Sequence, residues 1–190
     1  MPRWDPDARK RLVDSATELF ELHGYDETTI AQIAERAGLT RRSFFRHFPD
    51  KREVLFADSE RHTALITDMV FAQGTEVPAC DAVMSTLSRV GEHLLKDPAA
   101  QSLRQNLIDG SAELQERERT KLATIAAALA AGLTRRGIPA QDAQSFGAVA
   151  AEIFHSAYSG AIRDPGALAF ADRLEETRAT ITEFLRNGVR

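Results

Sequence analysis

A chain of 190 residues with 43% hydrophobic and 27% charged residues has the composition of a folded globular protein, long enough to bury a core in one or two domains. Its single cysteine, Cys80, excludes an intramolecular disulfide framework and a cysteine-cluster metal site. The first residues lack an apolar run of signal-peptide length, and no 18-residue apolar run occurs, so a cytoplasmic protein without membrane spans is expected.

The formal net charge of −4 hides an uneven distribution. Residues 1–52 hold ten Lys/Arg against nine Asp/Glu, a balance of +1, whereas residues 53–190 hold fourteen against nineteen. Within residues 39–52 the basic side chains are Arg41, Arg42, Arg46, Lys51 and Arg52, facing one acidic residue, Asp50. An acidic protein binds a polyanion when one face concentrates positive charge in this way.

The spacing predicts a first helix over residues 5–23, with Asp5 as cap and Pro6 at the first helical position. Leu12, Ala16, Leu19 and Phe20 form its apolar stripe, and Gly24 ends it. Arg9, Lys10 and Arg11 are equally consistent with a solvated first turn and with phosphate contacts. Trp4 lies in a short arm expected to pack on the domain.

The next stretch, residues 28–51, reads TTIAQIAERAGLTRRSFFRHFPDK. Thr29 and Gln32 have the spacing of a capping box, and Ile30, Ile33, Ala34 and Ala37 recur at helical intervals. Gly38 stands where a helix ends in a left-handed turn. Thr40 is placed to cap a further helix whose inward face is Leu39, Phe44 and Phe48, and Pro49 stops it. Arg41, Arg42, Ser43, Arg46 and His47 are polar donors between those anchors. Two short helices about a glycine turn, the second cationic, make a helix-turn-helix. Its second helix is expected in the major groove, with Arg41 and Arg42 placed for bidentate contact to guanine O6 and N7.

A helix-turn-helix near the N-terminus that runs into FRHFPDK resembles the TetR family of bacterial transcriptional regulators, over about residues 8 to 56. The resemblance implies a homodimeric DNA-binding repressor, with a C-terminal helical domain that dimerises and often binds a small molecule. Thr29, Thr40, His47 and Lys51 match family positions that hold the DNA backbone, contacts that set register without reading sequence. Phe45 departs from the pattern, which usually has tyrosine there. The missing hydroxyl removes a phosphate hydrogen bond and leaves the ring to a thymine methyl or a sugar.

Asp50 and Glu53 then suggest a capping box for a long fourth helix reaching about Phe71, expected to be the hinge between a DNA-binding domain, residues 1–52, and a helical ligand-binding and dimerisation domain, residues 53–190. Further helices are expected over residues 79–95, up to about 107, from about 111 to 137, over 139–160 and over 168–187, with Gly188 as the last stop. The apolar residues of the last include Phe170, Leu174, Ile181, Phe184 and Leu185. No segment alternates like a strand, so the fold class is all-α with about nine helices.

Phe146, Val149, Ile153, Phe170, Ile181 and Phe184 exceed what the last two helices need for their own core and are the expected dimer interface. Met69, Met84, Leu87, Leu107, Ile125, Leu129 and Phe154, with polar Arg104, His155 and Tyr158, are the candidate lining for a small apolar or amphipathic effector. A filled C-terminal core, giving an effector-independent repressor or an architectural helical protein, is the alternative. The five histidines form no metal-binding pair, and no phosphate-binding glycine loop or nucleophile elbow is present. An enzyme, a cofactor and a metal site are therefore not expected.

Overall fold

A computed structural model describes residues 7–57 and 59–187, apart from the side chains of residues 59–62 and 185. Trp4, Asp5, Pro6 and Gly188, and the side chain of Leu185, lie outside the described residues. Among those described, all regular structure is helical: α1 (Ala8–His23), α2 (Ile30–Arg36), α3 (Arg41–His47), α4 (Arg52–Leu55), α5 (Ser59–Phe71), α6 (Ala79–Leu94), α7 (Pro98–Asp109), α8 (Ala112–Arg135), α9 (Ala140–Arg163) and α10 (Phe170–Asn187).

The expected long fourth helix is instead two helices. Asp50 does accept from the Glu53 N–H (3.1 Å), but α4 closes after one turn at Phe56, which leaves helical geometry (φ −109°, ψ 16°). Phe56 is buried, with the guanidinium carbons of Arg104 and Arg117 lying 4.8 and 5.0 Å from its ring centroid. Burying that ring between two cations offsets the lost helical bonds. The sequence carries a trace of the break, because the apolar stripe lapses between Ala57 and Ala64.

The chain forms two compact units. The first comprises Met1–Asp58 and Leu103–Arg117; the second comprises Ser59–Ser102 and Glu118–Arg190. Both α7 and α8 therefore contribute residues to each unit.

In the first unit, Leu12, Ala16 and Phe20 of α1 meet Ile33 and Ala34 of α2, Phe44 and Phe48 from the α3 region, and Ile108 and Leu114. Arg117 pairs with Glu53 (Nη2 to Oε2, 3.0 Å), and Arg52 reaches Glu113 at 3.6 Å. The second unit is built on Val83 and Leu87 of α6, Leu129 and Leu133 of α8, and Ala150, Phe154 and Tyr158 of α9. Small residues let its helices approach closely: a Cβ on Gly147 of α9 would fall 2.6 Å from the Ala126 carbonyl oxygen of α8. That spacing accounts for the small residue at Ala130 of α8, which is buried with its Cβ beside Gly147.

Candidate nucleic-acid interface

The first unit presents α3 as an exposed cationic helix on a rigid turn. The Thr29 N–H donates to Gln32 Oε1 (2.8 Å) while Thr29 Oγ1 accepts from the Gln32 N–H (3.3 Å), so the expected capping box is formed. Gly38 has φ +67°, a conformation that favours glycine. Its N–H bonds to the Glu35 carbonyl (3.0 Å), and that of Leu39 to the Ala34 carbonyl (2.8 Å), turning the chain sharply. Thr40 Oγ1 then accepts from the Ser43 N–H (3.1 Å) and starts α3. Phe48 ends the helix in extended geometry, as the following proline requires.

The two faces of α3 differ in character. Phe44 is fully buried and stacks obliquely on Phe48, with ring centroids 5.7 Å apart. Arg41, Arg42 and Arg46 are exposed, Ser43 and His47 are half-buried, and Phe45 is 50% exposed. Phe45 stands edge-on to Phe44 (5.7 Å, 83°), which holds an apolar ring among the cations. Burying Phe44 and Phe48 thus fixes the orientation of α3 and turns Arg41, Arg42, Phe45 and Arg46 outward.

Other expected residues fall into different settings. Thr29 and Thr40 are exposed at the starts of α2 and α3, with their hydroxyls engaged in capping. Lys51 is half-buried and turned inward: Nζ donates to the carbonyls of Tyr25 (2.6 Å), Thr28 (2.9 Å) and Asp26 (3.4 Å). Burial holds its ammonium pKa below the usual lysine value, against the nearby charges of Asp26, Glu113 and Glu27. The sequence shows Lys51 as one of five cations and carries no mark of that enclosure.

On α1, Arg9 lies over the Phe48 ring (5.0 Å) and donates to the Ala57 carbonyl, and Arg11 Nε donates to the Ala37 carbonyl (3.2 Å). Both guanidiniums brace the first unit. Lys10 pairs with Asp14 on the exposed face at 2.6 Å, and that hydrogen bond raises its pKa.

The family model for bacterial regulatory proteins of the tetR family matches residues 12–57, the segment that builds this interface. Over that segment the chain is similar to the tetR family. Among curated relatives, the HTH-type transcriptional regulator TcmR of Streptomyces glaucescens is 50% identical over 46 residues, 24% of this chain and 20% of its own. The transcriptional repressor AcnR of Corynebacterium glutamicum is 27% identical over 123 residues, 60% of this chain and 64% of its own. The chain thus spans less than two thirds of the length of each of these relatives. In fold it is similar to Thermus thermophilus FadR, a TetR-family repressor solved with lauroyl-CoA, with a TM-score of 0.62 and 20% identity over 96% of this chain and 95% of that one.

The residues of the expected effector lining are divided between the two units. Arg104 and Leu107 belong to the first unit, where Arg104 covers Phe56 and Leu107 packs on the core. Leu87, Ile125, Leu129, Phe154 and Tyr158 are buried in the second unit; Met69, Met84 and His155 are half-buried. Phe154 stacks on Tyr158 (5.6 Å, 14°), whose hydroxyl donates to Gln101 Oε1 at 2.6 Å. A groove of about 400 Å³ lies elsewhere, along the end of α10, lined by residues that include Arg178, Thr182 and Arg186.

The expected dimer residues also divide. Ile153 and Phe170 are 4% and 6% exposed within their own chain, the Phe170 ring standing edge-on to Phe154 (5.8 Å, 76°). Val149 and Phe184 are 43% and 55% exposed, and Phe146 and Ile181 are half-buried at the margin of the same core. Among the described residues no helix is long and apolar enough to cross a membrane, and no cluster of metal-ligating side chains occurs.

Proposed function

We propose that this protein is a homodimeric transcriptional repressor that binds a pseudopalindromic duplex operator in the cytoplasm and is released by a small-molecule effector. The observation that carries the reading is the outward display of Arg41, Arg42, Phe45 and Arg46 on a helix locked from behind by Phe44 and Phe48. Arg41 and Arg42 would read base edges, with Ser43 at a base or phosphate. Thr29, Thr40 and His47 would hold the backbone. Phe45, lacking a hydroxyl, offers its ring to a thymine methyl or a sugar.

Two copies related by a two-fold axis would place their recognition helices about one helical turn of DNA apart. Val149 and Phe184, with Phe146 and Ile181 beside them, offer the apolar face for that pairing. Selection from a randomised duplex library tests the reading. Enrichment of an inverted repeat, bound by a dimer, is expected; absence of any duplex preference overturns it.

A release mechanism by effector is supported by the FadR likeness, since that repressor was solved with lauroyl-CoA. The effector must prefer the state that does not bind DNA. One observation favours the effector-independent alternative: Leu87 and Leu129 are fully buried, and Phe154, Tyr158 and Phe170 pack ring to ring in the same core. Operator affinity measured with and without long-chain acyl-CoA and a panel of apolar amphiphiles separates the two. A loss of affinity supports release, and unchanged affinity throughout supports the alternative. No enzymatic role is proposed.

A further inference from the structure

We infer that Lys51 is a positioning residue: its ammonium ties the turn between α1 and α2 to the start of α4, and it makes no phosphate contact when DNA is bound. This rests on the reading that the first unit binds duplex DNA, and it removes Lys51 from the backbone contacts that the sequence suggests.

An ammonium has three donors and no acceptor. Lys51 meets three main-chain carbonyls, those of Tyr25, Thr28 and Asp26, at 2.6, 2.9 and 3.4 Å. Its Nζ also lies 4.0 Å from the centroid of the Tyr25 ring, within cation–π range. The side chain is half-buried, and the partners lie 23 to 26 residues earlier in the chain. They belong to one turn, which also holds the buried Thr28, whose hydroxyl bonds to the Gly24 carbonyl (2.8 Å).

The next residue, Thr29, caps α2, so the point at which α2 begins is set by this clamp. The α2 helix in turn carries the Gly38 turn and α3. Drawing the ammonium out to a phosphate would strip charge-assisted partners from carbonyls of a part-buried turn, an exchange that gains little. Arginine does not fit the same role, because its planar fork suits a phosphate or carboxylate better than three carbonyls converging on one point.

The test compares wild type, Lys51→Met and Lys51→Arg in two measurements. Hydrogen exchange of the protein alone follows the amides of residues 26–32. Affinity for a random-sequence duplex of about 40 base pairs is followed against salt concentration. The clamp predicts that Lys51→Met speeds exchange there about tenfold, the scale of a lost hydrogen bond, that Lys51→Arg does not restore it, and that the salt slope stays unchanged. A slope shallower by about 0.9 in Lys51→Met, regained in Lys51→Arg, is the signature of a phosphate contact and overturns the proposal. Unchanged exchange overturns it as well. If wild type binds no duplex, the DNA reading fails and the exchange arm alone decides the clamp. Should Lys51→Met not fold, Lys51→Gln, whose amide keeps two donors, is read in the same way.

Discussion

The ring of Phe170 fills the space above Gly91: a Cβ built on that glycine would run into Cε1 and Cζ of the phenyl ring. Helix α6 has a glycine where alanine would favour the helix by about 1 kcal/mol, because α10 delivers an aromatic side chain there. The same ring stands edge-on to Phe154 and Tyr158, so it has little freedom to move aside.

Gly91→Ala is therefore expected to destabilise the protein despite its better helix propensity, since overpacking costs about 1–3 kcal/mol. Denaturant unfolding should show a lower midpoint with an unchanged slope. Adding Phe170→Leu should recover part of the loss. A stabilised Gly91→Ala protein would mean that the ring does not sit there in solution.

Arg41→Ala and Arg42→Ala are expected to relax base preference by about 1–3 kcal/mol each at the contacted position. Both side chains are exposed and outside the core, so the melting temperature should hold. Competition of the selected operator against singly changed duplexes reads the first effect, and calorimetry the second. Equal weakening on every sequence would place both residues on the backbone instead.

Within the first unit, Tyr25 is tied to the start of α8: its hydroxyl donates to Glu113 Oε2 at 3.3 Å. Burial, followed by the Glu113 charge, raises its pKa above the ordinary tyrosine value. The folded pKa lies above the unfolded one, so this contribution is fully present below about pH 10 and is lost as pH rises toward the folded value. Wild type should thus lose stability more steeply than Tyr25→Phe above about pH 10. Lys51, whose shift acts in the opposite direction, is present in both proteins. Tyrosinate absorbance should also show a late-titrating group that Tyr25→Phe removes.

Val149→Glu and Phe184→Glu are expected to dissociate the proposed dimer while leaving the helical content intact, because both positions face outward. Phe170→Ala should act on the monomer, costing about 3–5 kcal/mol as a buried aromatic truncation. Sedimentation velocity and thermal melts separate these outcomes. A monomeric wild type would remove the pairing from the proposed function.

The sequence by itself determined what depends on neighbours within a turn of helix. The Thr29–Gln32 capping box, the left-handed Gly38, the Thr40 cap and the stop at Pro49 all form as read, and together they make the helix-turn-helix. Helical periodicity also marked the buried stripes of α1 and α2 and the all-helical class, because it reports which face is apolar. Periodicity does not report what that face meets. Only the tertiary structure joined residues 103–117 to the first unit, seated Phe56 between Arg104 and Arg117 and so ended α4, and drew Ile153 and Phe170 into their own core while leaving Val149 and Phe184 outside. Lys51 shows the difference within one residue. Its charge is plain in the sequence, but the three carbonyls that occupy it come from a turn 23 to 26 residues away, and a partner at that separation is chosen by packing.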